Sequence, residues 1–299
     1  MDVKVYHAYQ SDSELHLPLG RFAPRLVQTV DRFEEYLQMH APNSKGAVLE
    51  HLRRLTQREI EGAQQMRRDA DIAFLSGLSQ LGSEYADLVR CHASLLIHLV
   101  GVDASAWQSE NEVVLSQVRF IRARYLPNTL KALALVEVLD RDVAISHMKR
   151  FLDESVGRLP VRDGGPTTLR ELRTRQIDFN LQEAGMDWTV AVMDEGQYIN
   201  KVTRCRIRDV LLEHGEPELM DVVACYPDFA MFAHSNLDLV LTRTQTLMSG
   251  GAFCDSCYHD RRTVKPFSHP PLRVFETLEE SVPLDRSSEV AETRGTAAQ

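Results

Sequence analysis

The sequence lacks an excess of positive charge and any long apolar run, and these absences exclude several classes of function. Among its 299 residues, 34 Lys and Arg stand against 43 Asp and Glu, so the net charge is −9. Binding to nucleic acid or to an anionic membrane surface requires clustered basic residues, and we expect neither partner. The longest apolar stretch, residues 94–100, is far shorter than the ~20 residues that cross a bilayer. The N-terminal residues also lack the basic and apolar regions of a secretory signal, which predicts a cytoplasmic protein.

Common catalytic motifs and abundant cysteine are missing as well. The sequence contains no GxGxxG, no phosphate-binding lysine loop, no HExxH and no GxSxG. Its five cysteines are an odd number that cannot all pair, and we expect reduced thiols. Four of the five lie in one short stretch: Cys205, Cys225, Cys254 and Cys257. Packing alone does not require this concentration, so chemistry or a metal is expected there.

The first half of the sequence has the pattern of helices. Apolar residues recur at three- and four-residue steps from about residue 26 to about residue 156. One such stripe is formed by Leu26, Val30, Phe33 and Leu37, and we expect its helix to end at 41–44. Residues 1–22 show no clear period and predict an irregular lead-in, and a further helix is predicted from Val114 toward Pro127.

The second half changes to a two-residue period beyond a Pro- and Gly-rich linker at 160–166. Alternation predicts three strands of an antiparallel meander near 177–181, 188–192 and 198–199, and two more near 237–246 and after Gly250-Gly251. Runs of helices separate from runs of strands indicate an α+β fold, with an N-terminal helical layer followed by a C-terminal antiparallel sheet with packed helices. We predict a helical extension over 1–105 that packs on a domain over 106–280, and a disordered tail over 281–299.

A first candidate site is the run Cys225-Tyr226-Pro227-Asp228. Pro227 disfavours helical geometry at Tyr226 and favours the start of a new helix, which brings Cys225 close to Asp228 in the first turn. A carboxylate is stable there because of the backbone amides and the helix dipole. The same residues are also compatible with a buried cysteine and an ordinary capping aspartate.

A second candidate is the CxxC formed by Cys254 and Cys257. If residues 252–259 form a strand, Cys254, Ser256 and Tyr258 face one side, and Asp255, Cys257 and His259 face the other. Redox CxxC motifs normally begin a helix after a strand, and that context is missing. A zinc site would need further ligands, which Cys205, Cys225 and His259 could supply.

Histidines near these cysteines are candidate acid/base groups. His259 is the best placed in sequence because it lies five residues from Cys254. His214 directly precedes Gly215 and is interpreted as a helix C-terminal residue.

Four short runs, in this order and spacing, resemble the L-2-amino-thiazoline-4-carboxylic acid hydrolase family. They are residues 205–211, 215–219, 225–228 and 243–255. The resemblance extends over roughly 110–260 and implies hydrolysis of a carbon–nitrogen bond in a small cyclic amidine-like ring, the named substrate being opened to a carbamoyl-cysteine. After Cys254-Asp255 the family pattern continues with an aromatic and a basic residue, whereas this sequence has Ser256-Cys257. The difference implies a changed pocket or an added metal.

We therefore expect a small-molecule hydrolase with a cysteine nucleophile and no cofactor. Cys254 or Cys225 is the predicted nucleophile, Asp228 the orienting or proton-handling carboxylate, and His259 the acid/base group. The predicted substrate-binding residues are Asp255, Arg243 and His234. A second hypothesis is a ligand-binding or sensor module with structural zinc on Cys205, Cys225, Cys254, Cys257 and His259, and a third is a noncatalytic interaction protein that uses the N-terminal helices. The expected partner is a small-molecule substrate, in a chain that could form a homo-oligomer.

Overall fold

The computed structural model describes residues 2–9, 14–61, 69–108, 112–157, 166–180, 185–194, 196–235 and 238–278. The predicted tail over 281–299 and most of the predicted linker lie outside the described residues. None of the helices in the described ranges is long and apolar enough to cross a membrane.

Helices make up most of the described N-terminal half. They are α1 (Leu19–His40), α2 (Lys45–Glu61), α3 (Asp69–Ser76), α4 (Ala86–Val100), α5 (Ala104–Gln108), α6 (Gln117–Val136) and α7 (Arg141–Gly157), with a short 3₁₀ turn at Ser83–Tyr85. The predicted stripe on α1 is confirmed, because Val30, Phe33 and Leu37 are fully buried. The helix ends at Ala41, whose N–H bonds the Leu37 carbonyl.

One apolar core connects these helices to elements beyond residue 105. It contains buried side chains of α1–α4, α6 and α7, and also of α9 (Arg206–Leu211) and α10 (Pro217–Ala224). Helices of residues 1–105 therefore pack against the C-terminal part of the chain. The division into domains at residue 105 stays a prediction.

A five-stranded antiparallel sheet joins one N-terminal strand to four strands of the second half. Its strands are β1 (Asp2–His7), β4 (Met186–Asp194), β5 (Gln197–Cys205), β6 (Leu239–Thr242) and β7 (Cys254–Asp260). Their order in the sheet is β1-β4-β5-β7-β6. A separate pair is formed by β2 (Glu14–Pro18) and β3 (Glu112–Ser116). This arrangement confirms the α+β fold class.

Two faces of the five-stranded sheet are covered differently. The inner face packs against α8 (Leu169–Phe179) and α11 (Tyr226–Ser235), through Leu172 and Phe232 respectively. The outer face carries a smaller core that includes Cys257 and Phe275, the latter from α12 (Leu272–Glu276).

Three predictions about secondary structure are wrong. Residues 2–7 and 14–18 form strands and not an irregular lead-in; they pair with β4 and β3, far away in sequence, so no local period marks them. Residues 177–179 end helix α8, because Thr168 caps this helix through the Glu171 N–H and Leu172 is buried beneath it. Val114 lies in β3, and α6 runs through Pro127 without ending there, since packing of the flanking apolar residues overrides the cost of the missing N–H.

Candidate active site

Strand β7 distributes its side chains over both faces of the sheet, as the sequence predicts. Cys254 and Tyr258 contact the inner-face core, whereas Cys257 is fully buried in the outer-face core. The two cysteines of the CxxC therefore point to opposite sides of the sheet and cannot share one ion. Among the described residues there is no group of three or more His, Cys, Asp or Glu arranged to hold a metal ion.

Three thiols, from Cys205, Cys225 and Cys254, come together at the end of the inner face; we call them the thiol cluster. Cys205 is the last residue of β5, Cys225 caps the C-terminus of α10, and Cys254 begins β7. Each of the three is partly buried and unpaired as a disulfide. They lie close enough that the charge of one raises the pKa of another. The predicted sites at Cys225 and Cys254 are thus brought into one region.

Arg243 connects the elements around the thiol cluster. Its guanidinium donates to Asp228 Oδ2 at 2.7 Å, to Ser256 Oγ at 2.9 Å and to the Cys225 carbonyl at 3.2 Å. The side chain is only 8% exposed. Burial lowers its pKa, but the charge of Asp228 and its other neighbours outweighs this and leaves the pKa raised, so Arg243 is a permanent cation. Arg243 was predicted to bind substrate; the structure places it against protein groups beside the thiols.

Burial raises the pKa of all three thiols and so favours their protonated form in the resting protein. Burial raises the pKa of Cys205 to about 12, and it raises the pKa of Cys225 well above its ordinary value. Burial also raises the pKa of Cys254, whereas the Leu247 N–H, 3.2 Å from its sulfur, and the Arg243 charge lower it. Cys254 thus combines a backbone donor on its sulfur with a nearby cation, the two features that stabilise a thiolate.

The segment 244–247, which follows Arg243, is held in place by Asp255. One carboxylate oxygen accepts the N–H groups of Thr244 and Gln245, both at 2.9 Å. The other accepts the Thr244 hydroxyl and His269 Nε2, the latter at 3.1 Å. Burial raises the pKa of Asp255, but these bonds outweigh it and lower the pKa to about 2. Asp255 was predicted to bind substrate; it lies fully buried on the outer face and anchors the loop that presents Leu247 to Cys254.

His259 lies on the outer face, with the sheet between it and Cys254. Its Nδ1 is 2.9 Å from Gln197 Nε2 and its Nε2 is 2.8 Å from Thr242 Oγ1. Thr242 Oγ1 is in turn 2.9 Å from His269 Nδ1. The predicted role of His259 as acid/base for Cys254 does not fit this placement, because an odd spacing along a strand separates the two side chains. The predicted binding residue His234 is exposed in the last turn of α11.

Sequence reasoning missed a second carboxylate near the thiols. Asp221 raises the pKa of both Cys225 and Cys254 through its charge. One of its carboxylate oxygens accepts the Thr246 hydroxyl. The signal was available, because Asp221 and Cys225 are four residues apart on a helical pattern and so share a face.

Comparison with known proteins finds one matching family. The sequence model of the L-2-amino-thiazoline-4-carboxylic acid hydrolase family matches residues 131–258, from the middle of α6 to β7. The matched region contains the thiol cluster, Asp228 and Arg243. No curated protein and no solved structure matches the chain. The resemblance seen in the sequence is therefore confirmed over residues 131–258, where the chain matches the L-2-amino-thiazoline-4-carboxylic acid hydrolase family, which is named for a hydrolase.

Proposed function

We propose that the protein is a hydrolase that opens a carbon–nitrogen bond of a small cyclic amidine, with Cys254 as its nucleophile. The observation that carries this proposal is the placement of Cys254, whose sulfur accepts the Leu247 N–H next to the Arg243–Asp228 ion pair. The family match supports the reaction type, and the name of the family supplies the 2-amino-thiazoline ring as the substrate class.

Cys254 and Asp228 divide the proposed chemistry between them. The Cys254 thiol gives up its proton and its sulfur adds to the amidine carbon, while the former C=N electrons move to nitrogen, which takes the proton. The ring carbon–nitrogen bond then breaks after a proton passes from the exocyclic nitrogen to the ring nitrogen. Asp228 is 41% exposed and one of its oxygens is held by Arg243, so the other can carry these protons.

Water completes the reaction by attacking the carbon bound to Cys254. The carbon–sulfur bond to the enzyme breaks, the thiol takes back a proton, and a carbamoyl product leaves. The net reaction consumes one water and needs neither a metal nor another cofactor. The partner of the protein in this proposal is the small-molecule substrate alone.

The CxxC supplies a matched pair of variants to test the proposal. We expect Cys254→Ser to abolish hydrolysis of 2-amino-thiazoline-4-carboxylate, because a hydroxyl is a far weaker nucleophile than a thiolate. Cys257→Ser makes the same chemical change three residues away on the outer face and should retain turnover. Mass spectrometry of the carbamoyl product measures both. Turnover that survives in Cys254→Ser and is lost in Cys225→Ser would move the nucleophile to Cys225.

A further inference from the structure

The inner face of the sheet carries buried polar atoms that have no hydrogen-bond partner among the described residues. They are Oδ1 of Asn200 and the hydroxyl of Tyr198 on β5, Nε1 of Trp188 on β4, and Oε1 of Gln176 and Nε of Arg173 on α8. Asn200 is 5% exposed and Tyr198 is 2% exposed. Folded proteins rarely leave such groups unpaired, because each loses its bonds to water without compensation. Several on one face indicate that something else binds there.

Strand register places Asn200 next to the proposed nucleophile. Asn200 is directly opposite Ser256 in the β5–β7 pair, and Val202 is directly opposite Cys254. Asn200 and Cys254 are therefore diagonal neighbours on one face, a relation that separates residues by ~7–8 Å. Ser256, between them on β7, accepts the Nε–H of Arg243.

Some polar atoms near Asn200 have hydrogen-bond partners and others have none. The Tyr258 hydroxyl is hydrogen-bonded to Gln176 and Ser256. Tyr198 stacks on Tyr258 with 4.7 Å between ring centroids, yet its own hydroxyl is unpaired. The unpaired groups therefore belong to β4, β5 and α8, and Asn200 is the one among those on the strands that lies diagonally across from Cys254.

We infer that Asn200 binds the amidine edge of the substrate and directs the amidine carbon toward Cys254; this inference rests on the proposed function. A primary amide presents an acceptor and a donor side by side. A neutral amidine presents an N–H and a nitrogen lone pair at the matching spacing, so two parallel hydrogen bonds form, as when an Asn side chain pairs with adenine. The uncharged amide selects the neutral amidine, whose nitrogen is then able to accept the proton that the addition step requires.

Removing the amide should have opposite effects on stability and on binding. In Asn200→Leu, a side chain of similar size without polar atoms replaces an amide whose buried oxygen is unpaired, and the melting temperature should rise by about 2–5 °C. The same change removes both hydrogen bonds to the ligand, and the dissociation constant should increase ~10–100-fold.

The experiment measures binding of 2-amino-thiazoline-4-carboxylate by calorimetry in a Cys254→Ser background, with and without Asn200→Leu, together with melting temperatures. Ser76→Ala is the control, because Ser76 Oγ is also buried and unpaired but lies on α3, which packs on α1, α4 and α5. The control should raise the melting temperature and leave binding unchanged. Should Asn200→Leu fail to fold, Asn200→Ala is measured for binding in the same way.

Weaker binding together with a higher melting temperature supports the inference. Unchanged binding overturns it, and so does a lower melting temperature of Asn200→Leu, since the amide would then be bonded in the free protein. If the proposed function is wrong and the inference is right, the wild-type protein binds the amidine through Asn200 and does not hydrolyse it. No binding by the protein that retains Asn200 overturns both.

Discussion

A lysine buried in the helical core makes the stability of the protein depend on pH in a specific way. Lys131 on α6 is 1% exposed, and its Nζ donates to Asn128 Oδ1 at 3.0 Å. The ammonium otherwise faces the rings of Phe33 and Phe151, with 5.9 and 5.5 Å to their centroids. Burial and, to a lesser extent, the charge of Arg32 lower its pKa from 10.5 to about 7, although the charge of Asp31 opposes the change.

The sign and the size of the effect follow from proton binding in the two states. The unfolded chain holds the Lys131 proton up to about pH 10.5, whereas the folded protein holds it only below about pH 7. Between these values the unfolded state binds more protons, so the free energy of unfolding rises with pH. At ~1.4 kcal/mol for each tenfold difference in proton affinity, the rise is at most about 5 kcal/mol, and about 3 kcal/mol between about pH 6 and about pH 9.

Lys131→Met isolates this contribution because Met has no titrating group and fits an irregular apolar space. We expect the variant to exceed wild type in free energy of unfolding most strongly near pH 6, and the difference to shrink by about 3 kcal/mol toward pH 9. Urea denaturation followed by fluorescence measures it, since the sequence has two tryptophans and Trp107 is fully buried in the helical core. A difference between variant and wild type that does not change with pH would show that Lys131 does not lose its proton between these pH values.

Four further predictions concern three residues that hold the fold and the site together. Asp255→Asn should lower the free energy of unfolding by about 2–4 kcal/mol, because the NH₂ group of the new amide would face N–H and O–H donors that now bond the carboxylate. Urea denaturation measures the loss. Because its pKa is lowered in the folded protein, Asp255 contributes about 2 kcal/mol to the free energy of unfolding. This contribution should be complete above about pH 4 and disappear toward pH 2. Acid titration of Asp255→Asn should lack this loss. Arg243→Lys should cost about 1–3 kcal/mol in denaturation experiments, because an ammonium cannot reach Asp228, Ser256 and the Cys225 carbonyl together. Gly101→Ala should lower the melting temperature by several degrees, since φ at Gly101 is +76° and the added Cβ would lie 2.6 Å from an Arg119 nitrogen.

Helices with a wide apolar stripe could be predicted from the sequence, whereas strands with distant partners could not. The stripe on α1 repeats over about three turns, so its period is unmistakable, and Val30, Phe33 and Leu37 are buried as expected. Strand β1 has six residues and pairs with β4, almost two hundred positions later, so only the assembled sheet reveals it. Residues 177–179 show the reverse error, since a short alternation at the end of α8 imitates a strand.

The cysteines of the candidate site could be predicted from the sequence, whereas the residues that surround them could not. Family spacing leads to Cys225 and Cys254, and the structure places both beside Arg243. His259 was chosen for its distance along the chain, but the alternation of β7 puts it on the opposite face. Asn200 belongs to no sequence motif, and only its unpaired amide oxygen in the folded sheet marks it.

Mass spectrometry of the protein quenched during turnover shows directly whether Cys254 attacks the substrate. Wild-type protein mixed with 2-amino-thiazoline-4-carboxylate is stopped in acid, digested and mapped peptide by peptide. We expect a covalent adduct on the peptide that contains Cys254, carrying the mass of the ring-opened substrate and absent from Cys254→Ser. An adduct on Cys225 or Cys205, or full turnover in Cys254→Ser, would contradict it.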